Sequence, residues 1–96
     1  MGINELIGDK RAEALRIVAR HGAINPRVFG SFARGDADPS SDLDVLVETG
    51  PIKTPFFPGG LVADLSELLG RPVSVVTVEG VRPAIRQRIL GESIPL

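Results

Sequence analysis

Two short segments of this 96-residue sequence carry groups able to do chemistry: Gly30-Ser31, with Arg34 just behind it, and Asp42-Leu43-Asp44. A glycine lets an anion approach the backbone closely. A serine adds a hydroxyl donor, and the free N–H groups that open a helical turn make an anion seat. Arg34 is placed either to contact the same anion or to pair with nearby carboxylates. Asp42 and Asp44 are two apart, so on a strand with ~3.3 Å rise their side chains leave one face with Cα atoms about 6.6 Å apart. That spacing can bracket a pair of divalent ions about 3.5 to 4 Å apart, as two-metal phosphoryl transfer requires. Left without cations, the two carboxylates repel each other. Each half alone also has an ordinary reading, a helix cap for Gly30-Ser31 and a solvated strand entrance for the aspartates.

Composition narrows the chemistry further. Eleven Lys and Arg stand against 12 Asp and Glu, a formal net charge of -1, which lacks the basic excess of a nucleic-acid-binding domain and argues against a long polynucleotide ligand. There is no Cys and a single His, so thiolate zinc sites, disulfides and Cys nucleophiles are excluded and any metal must be held by oxygen, which suits Mg²⁺ or Mn²⁺. No apolar run approaches the ~18 residues of a membrane span, and Met1 to Lys10 has no signal-peptide core. The expectation is a cytoplasmic protein with no membrane contact. At 96 residues and 43% hydrophobic, the chain is expected to form one domain, residues 1–96, around one core.

The elements that must position these groups follow from periodicity. Asp9 is a plausible N-cap for a first helix whose apolar positions Ala12, Leu15, Val18 and Ala19 run to Gly22. Residues 27–30 read as a short strand, Ser31 to Arg34 as a single helical turn ended by Gly35, and 37–41 as a turn cluster. Asp42 to Glu48 alternates, with Leu43, Val45 and Val47 on one side and Asp42, Asp44, Leu46 and Glu48 on the other, which is a second strand. Three prolines and three glycines between Thr49 and Gly60 imply an irregular connection. A helix over Leu61, Val62, Leu65, Leu68 and Leu69, a strand from Val73 to Val78 and a last helix over Ala84, Ile85, Ile89 and Leu90 complete the order αβαβαβα. The predicted class is α+β, a small mixed three-stranded sheet covered by helices.

Taken together, Gly30-Ser31, the Ala33-Arg34-Gly35 that follows and Ser41-Asp42-Leu43-Asp44 resemble the motif of the minimal nucleotidyltransferases of the DNA polymerase β superfamily. The likeness extends to the first helix, to LLGRPV at 68–73 and to RPAIRQRIL at 82–90. It implies the polymerase β-type nucleotidyltransferase fold and an enzyme that binds Mg²⁺, with Mn²⁺ as the alternative, and a nucleoside triphosphate, ATP first. Gly30 and Ser31 would hold the β- and γ-phosphates, Asp42 and Asp44 would ligate metal and act in catalysis, and AMP would pass to an acceptor hydroxyl as pyrophosphate leaves. So short a chain has no room for a large acceptor-binding domain, and the resemblance suggests a small helical HEPN protein as partner in a toxin–antitoxin pair.

The resemblance breaks at one position. Such enzymes place a third carboxylate on the next strand, and the matching residue here is Ser74, which cannot act as a carboxylate base. Losing a general base costs about 10²- to 10⁴-fold. Glu48 and Glu79 are the candidate substitutes, and the rival reading is a catalytically impaired module that neutralises its partner by occlusion. Among the remaining residues, Asp36 and Asp38 read as turn residues and His21 as a helix-end contact in preference to a catalyst. Arg82, Arg86 and Arg88 form either a solvated face or a surface for an acidic partner. Phe56 and Phe57 either plug the core or meet another protein.

Overall fold

The computed structural model describes residues 1–96. Helix α1 (Ile3–Ile7) and a 3-10 turn (Gly8–Lys10) lead into α2 (Arg11–Arg20), and strand β1 (Ala23–Phe29) follows. The turn α3 (Ser31–Arg34) precedes β2 (Leu43–Thr49); then come α4 (Gly59–Leu69), β3 (Val73–Thr77), α5 (Pro83–Glu92) and the two-residue strand β4 (Ile94–Pro95). The class is the α+β expected, but the sheet has four strands rather than three, in the order β3-β2-β1-β4. Two residues are too few to show alternation, which is why β4 is invisible in the sequence. Helix α1 escapes for the same reason: it is short, though Ile3 and Ile7, one turn apart, are both buried.

The start of α2 also departs from expectation. Asp9 lies inside the 3-10 turn, and no side chain caps the helix after Lys10. Its buried stripe is Ala14, Ile17 and Val18, while Ala12, Leu15 and Ala19 are exposed. The predicted stripe shared only Val18 with the real one, because Ala12 and Leu15 continue the same spacing one step round the helix. Helix α4 buries Leu61, Leu65 and Leu69, the i, i+4, i+8 row of the periodicity.

Strand pairing explains where the chemistry lies. β1 runs antiparallel to β2 and to β4, and β2 runs parallel to β3 through the α4 crossover that such a pair requires. Val28, Val45 and Val75 stand abreast on the face that packs against the helices, and Leu43, Val45 and Val47 all belong to the main core. Register then places Phe29, Asp44 and Ser74 abreast on the opposite face, with Arg27, Leu46 and Val76 in the next row. The alternation read for residues 42–48 is therefore real, although Leu46 on the acidic face is 1% exposed and not solvated.

One side chain ties together the segments that carry the two motifs. Arg71, between α4 and β3, donates from Nη1 to the carbonyl oxygens of Asp38 (3.2 Å), Pro39 (3.2 Å) and Ser41 (2.7 Å). Its guanidinium lies 5.1 Å from the centroid of the Phe32 ring, whose side chain is buried beneath α3. Leu43 N–H adds a bond to the Pro72 carbonyl at 3.0 Å. Asp38 organises the same loop by accepting from the Ser40 N–H at 2.8 Å and the Ser40 hydroxyl at 2.7 Å, bonds that hold its carboxyl below the usual range and fit the turn role expected of it. Replacing Arg71 with Met keeps the aliphatic stem and removes the donors, so stability should fall by about 2 kcal/mol, roughly 8 to 16 °C in Tm for a domain of this size. Amide exchange at Ser41 and Leu43 should accelerate in parallel. A variant with parental Tm and exchange would show that the loop holds itself.

Candidate functional site

The glycine of the first motif is required by its backbone conformation. Gly30 has φ 75° and ψ -150°, a region that residues with a Cβ avoid, and a Cβ built there would lie 2.6 Å from Asp44 Oδ2. Backbone and carboxylate thus meet so closely that a Cβ at position 30 would push the Asp44 carboxylate aside. The chain turns at Gly30 into α3, Phe32 anchors that turn in the core at 1% exposure, and Gly35 in the left-handed conformation ends it. The turn and the aspartates, separate in sequence, are brought side by side because β1 ends where β2 begins.

Asp42 is exposed one residue before β2 and Asp44 is half-buried within it. Burial is the main influence that pushes the Asp44 carboxyl above its ordinary value of 3.8, and the charge of Asp42 pushes it further. Arg34 pulls it back down, while Glu92 adds a smaller upward push. At Asp44, then, burial acts first and the like charge of Asp42 second.

Arg34 pairs with carboxylates: Nε lies 3.3 Å from Asp36 Oδ2 and Nη1 lies 3.4 Å from Glu92 Oε1. Its side chain is still 52% exposed, so these contacts are exchangeable. The same Glu92 oxygen accepts the Gly30 N–H at 2.7 Å. Sequence reasoning missed Glu92 altogether. It is the last residue of α5, and nothing near it in the chain marks it; only the return of α5 and β4 along β1 brings it to Gly30.

Ser74 is the register partner of Asp44 on β3, on the face where a third acid was expected. Neither proposed substitute is near. Glu48 lies four residues further along β2, about 13 Å away at ~3.3 Å per residue, where it accepts from Asn25 Nδ2 at 2.8 Å. Glu79 follows the same distant end of β3 and is exposed.

The other residues singled out lie elsewhere. His21 is buried, its ring nitrogens 2.9 Å from Thr54 Oγ1 and 2.7 Å from Asp64 Oδ2, so it clips the 50–58 loop to α4 and is not catalytic at the aspartates. Phe57 packs on the core, as the first of its two readings expects, and Phe56 is 92% exposed. Arg82 and Arg88 are exposed, whereas Arg86 turns back to donate to the Val81 carbonyl at 2.9 Å. The largest cavity, about 630 Å³ and lined by Leu15, Arg27, Glu48 and Leu90 among others, includes none of Gly30, Ser31, Asp42 or Asp44. The aspartates and the turn line neither cavity and form an open shelf on the surface.

The nucleotidyltransferase domain family matches residues 12–96. A candidate protein adenylyltransferase of Methanocaldococcus jannaschii is 35% identical over 94 residues, covering 98% of this chain and 97% of its own. A solved structure of a candidate minimal nucleotidyltransferase is 42% identical with a TM-score of 0.86, covering 100% of this chain and 97% of that one. A toxin–antitoxin crystal structure with AMP-PNP shares the fold at a TM-score of 0.74 and 16% identity, covering 88% of this chain and 69% of that one.

The raised Asp44 carboxyl gives a prediction with a definite sign. An acid whose folded value lies above its unfolded 3.8 binds its proton more tightly in the native state, so its ionisation lowers stability as pH climbs through that interval. Asp44→Asn should therefore melt higher than the parent at pH 7 without metal. The difference should shrink as pH falls through the folded value and vanish below 3.8, where the parental carboxyl is protonated in both states. A variant that melts lower at pH 7 would make Asp44 a structural residue.

Proposed function

Because this chain belongs to the nucleotidyltransferase domain family, we propose that its Gly30-Asp44 shelf binds a metal-complexed nucleoside triphosphate, ATP first, and transfers AMP to a hydroxyl of a partner protein. The observation that carries this reading is the contact between the bare Cα of Gly30 and the Asp44 carboxylate, which unites an anion seat and a cation seat. The donor chemistry suits Mg²⁺, with Mn²⁺ as the alternative. No group of three or more His, Cys, Asp or Glu is arranged to hold a metal, so the protein offers two carboxylates, Asp42 and Asp44. Mg²⁺ is commonly held by one or two carboxylates with the rest of its shell from phosphates and water. When bound, the ion supplies charge neutralisation between the aspartates and the phosphates.

The chain's own residues then have distinct work. The Gly30 and Ser31 turn and the Arg34 guanidinium seat the β- and γ-phosphates, and Asp42 and Asp44 would hold the cation that offsets the phosphate charge. The acceptor oxygen forms a bond to the α-phosphorus, the bond to the β-phosphate oxygen breaks, and pyrophosphate leaves with that electron pair. Ser74 offers no base beside Asp44, so the acceptor proton passes to solvent and the transfer is slow. The 35%-identical relative, described as a candidate protein adenylyltransferase, supports a protein acceptor. The shared fold with toxin–antitoxin structures, one of them with AMP-PNP, supports a two-component pair and ATP; we propose a small helical HEPN-type protein as the other member. Ser74 also favours a second reading, in which the shelf binds nucleotide but the protein neutralises its partner by occlusion.

Labelled ATP, Mg²⁺ and the product of the neighbouring reading frame, followed by intact-mass measurement of both proteins, decide between the two. The first reading expects one AMP adduct per acceptor site, abolished by chelator; tight association of the partner with no adduct would support occlusion.

Ser74→Asp tests the account of the missing base. With the partner present, transfer should rise by more than about tenfold, a barrier lower by ~1.4 kcal/mol or more. A variant that folds, binds Mg²⁺-ATP and transfers at the parental rate would mean that the proton already has another acceptor.

A further inference from the structure

The Gly30 turn already has an anionic partner within the chain. Glu92 Oε1 accepts the Gly30 N–H at 2.7 Å and lies 3.4 Å from the Arg34 guanidinium, the two groups through which the proposed function seats phosphate. This is not a carboxylate that reaches the turn by chance flexibility. Ser93, the next residue, is buried and accepts from Arg27 Nε at 2.6 Å, its carbonyl accepts from Arg27 Nη2 at 3.0 Å, and its hydroxyl bonds the Leu90 carbonyl at 2.8 Å. Beyond it, β4 pairs with β1, Leu96 N–H bonds the Pro26 carbonyl at 3.0 Å, and the Leu96 side chain is buried. The end of α5 is thus clamped so that its last side chain is delivered to Gly30.

Nor does Glu92 stand in for the acid missing at position 74. Asp44 sits on β2 between two neighbours: Ser74 on β3 at one side, and Phe29 of β1, which leads into Gly30, at the other. Glu92 lies on the β1 side, with the phosphate turn, and Ser74 lies across Asp44 from it. A carboxylate there shares donors with the triphosphate and repels it.

We propose that Glu92 is an affinity-determining residue of the nucleotide site, an internal carboxylate that occupies the phosphate seat and must be displaced by a polyphosphate. The inference rests on the reading of Gly30 and Arg34 as phosphate ligands. It follows that nucleotide binding is weaker than the seat's own donors allow, and that a ligand needs several phosphate oxygens and a bound cation to compete with a tethered carboxylate.

Two variants test it. Glu92→Gln keeps the shape and removes the charge, and Glu92→Ala removes the side chain. Calorimetric titration with Mg²⁺-ATP, and separately with Mg²⁺ and inorganic tripolyphosphate, should give Kd values about tenfold lower in both variants than in the parent. The Gly30 amide resonance of the parent should move as either ligand is added, because its acceptor changes from carboxylate to phosphate. If the parent binds Mg²⁺-ATP with that resonance moving and both variants bind no tighter, Glu92 only supports the turn and the proposal is overturned while the nucleotide reading stands. If tripolyphosphate tightens in the variants but ATP binds to none of the proteins, the role of Glu92 holds and the nucleotide reading fails. If neither ligand moves the Gly30 amide in any of them, both are overturned together.

Discussion

The approach of the Asp44 carboxylate to the bare Cα of Gly30 is the constraint around which the rest of this protein is arranged. A Cβ at position 30 would sit 2.6 Å from Asp44 Oδ2, and the backbone there is in a region open to little besides glycine. Holding a carboxylate against a backbone turn requires the ends of two strands to be fixed relative to one another, because a slip of one residue would turn Asp44 toward the core. The antiparallel register of β1 and β2 does this with Val28 opposite Val45, both fully buried. Arg71 then restrains the loop between the two motifs from outside the sheet, and Phe32 anchors the turn from below. The two ends of the site are pinned by elements that contribute nothing to it chemically.

Much of this was legible in the sequence because the relevant segments are local. Gly30, Ser31, Asp42 and Asp44 announce themselves by residue type and spacing, and the alternation of Leu43, Val45 and Val47 fixed which face the aspartates share. What stayed hidden depends on contacts distant in the chain. Nothing in the sequence marks Arg71 beyond its place in LLGRPV, and its use appears only when α4 has crossed to β3. Glu92 gave no signal, since the position of a helix end relative to a turn 62 residues away is a tertiary fact. The two-residue β4 and five-residue α1 are too short for periodicity, and the stripe of α2 was misjudged because alanines and leucines extend round more than one face.

The exposed surfaces around the shelf bear on how so small a protein can act. Helix α5 has no fully buried residue, and Ile85 is 38% exposed, so the helix that delivers Glu92 is covered on one side only. At the opposite end of β2, the 50–58 loop shows Ile52 and Phe56 almost wholly to solvent while Phe57 and the His21 clip hold its base. The loop is anchored but its tip is apolar. Isolated exposed apolar residues are common on folded surfaces, and these two lie at the end of β2 away from Asp44.

Charge decides how such a shelf can be filled. Around Gly30 stand the carboxylates of Asp36, Asp42, Asp44 and Glu92, with Arg34 the cationic side chain that pairs with two of them, in a chain of net charge -1. A metal-free triphosphate entering that field meets repulsion from both aspartates and from Glu92 together. A divalent ion, if held by Asp42 and Asp44, would offset much of that charge and leave Arg34 able to exchange its exposed carboxylate contacts for phosphate. On the reading proposed here, metal and nucleotide are therefore coupled ligands, each lowering the cost of the other. The absence of an acid at position 74 belongs to the same balance: a fifth carboxylate abreast of Asp44 would have deepened the repulsion in the metal-free protein, and Ser74 spares the fold that cost at the expense of a base for the acceptor.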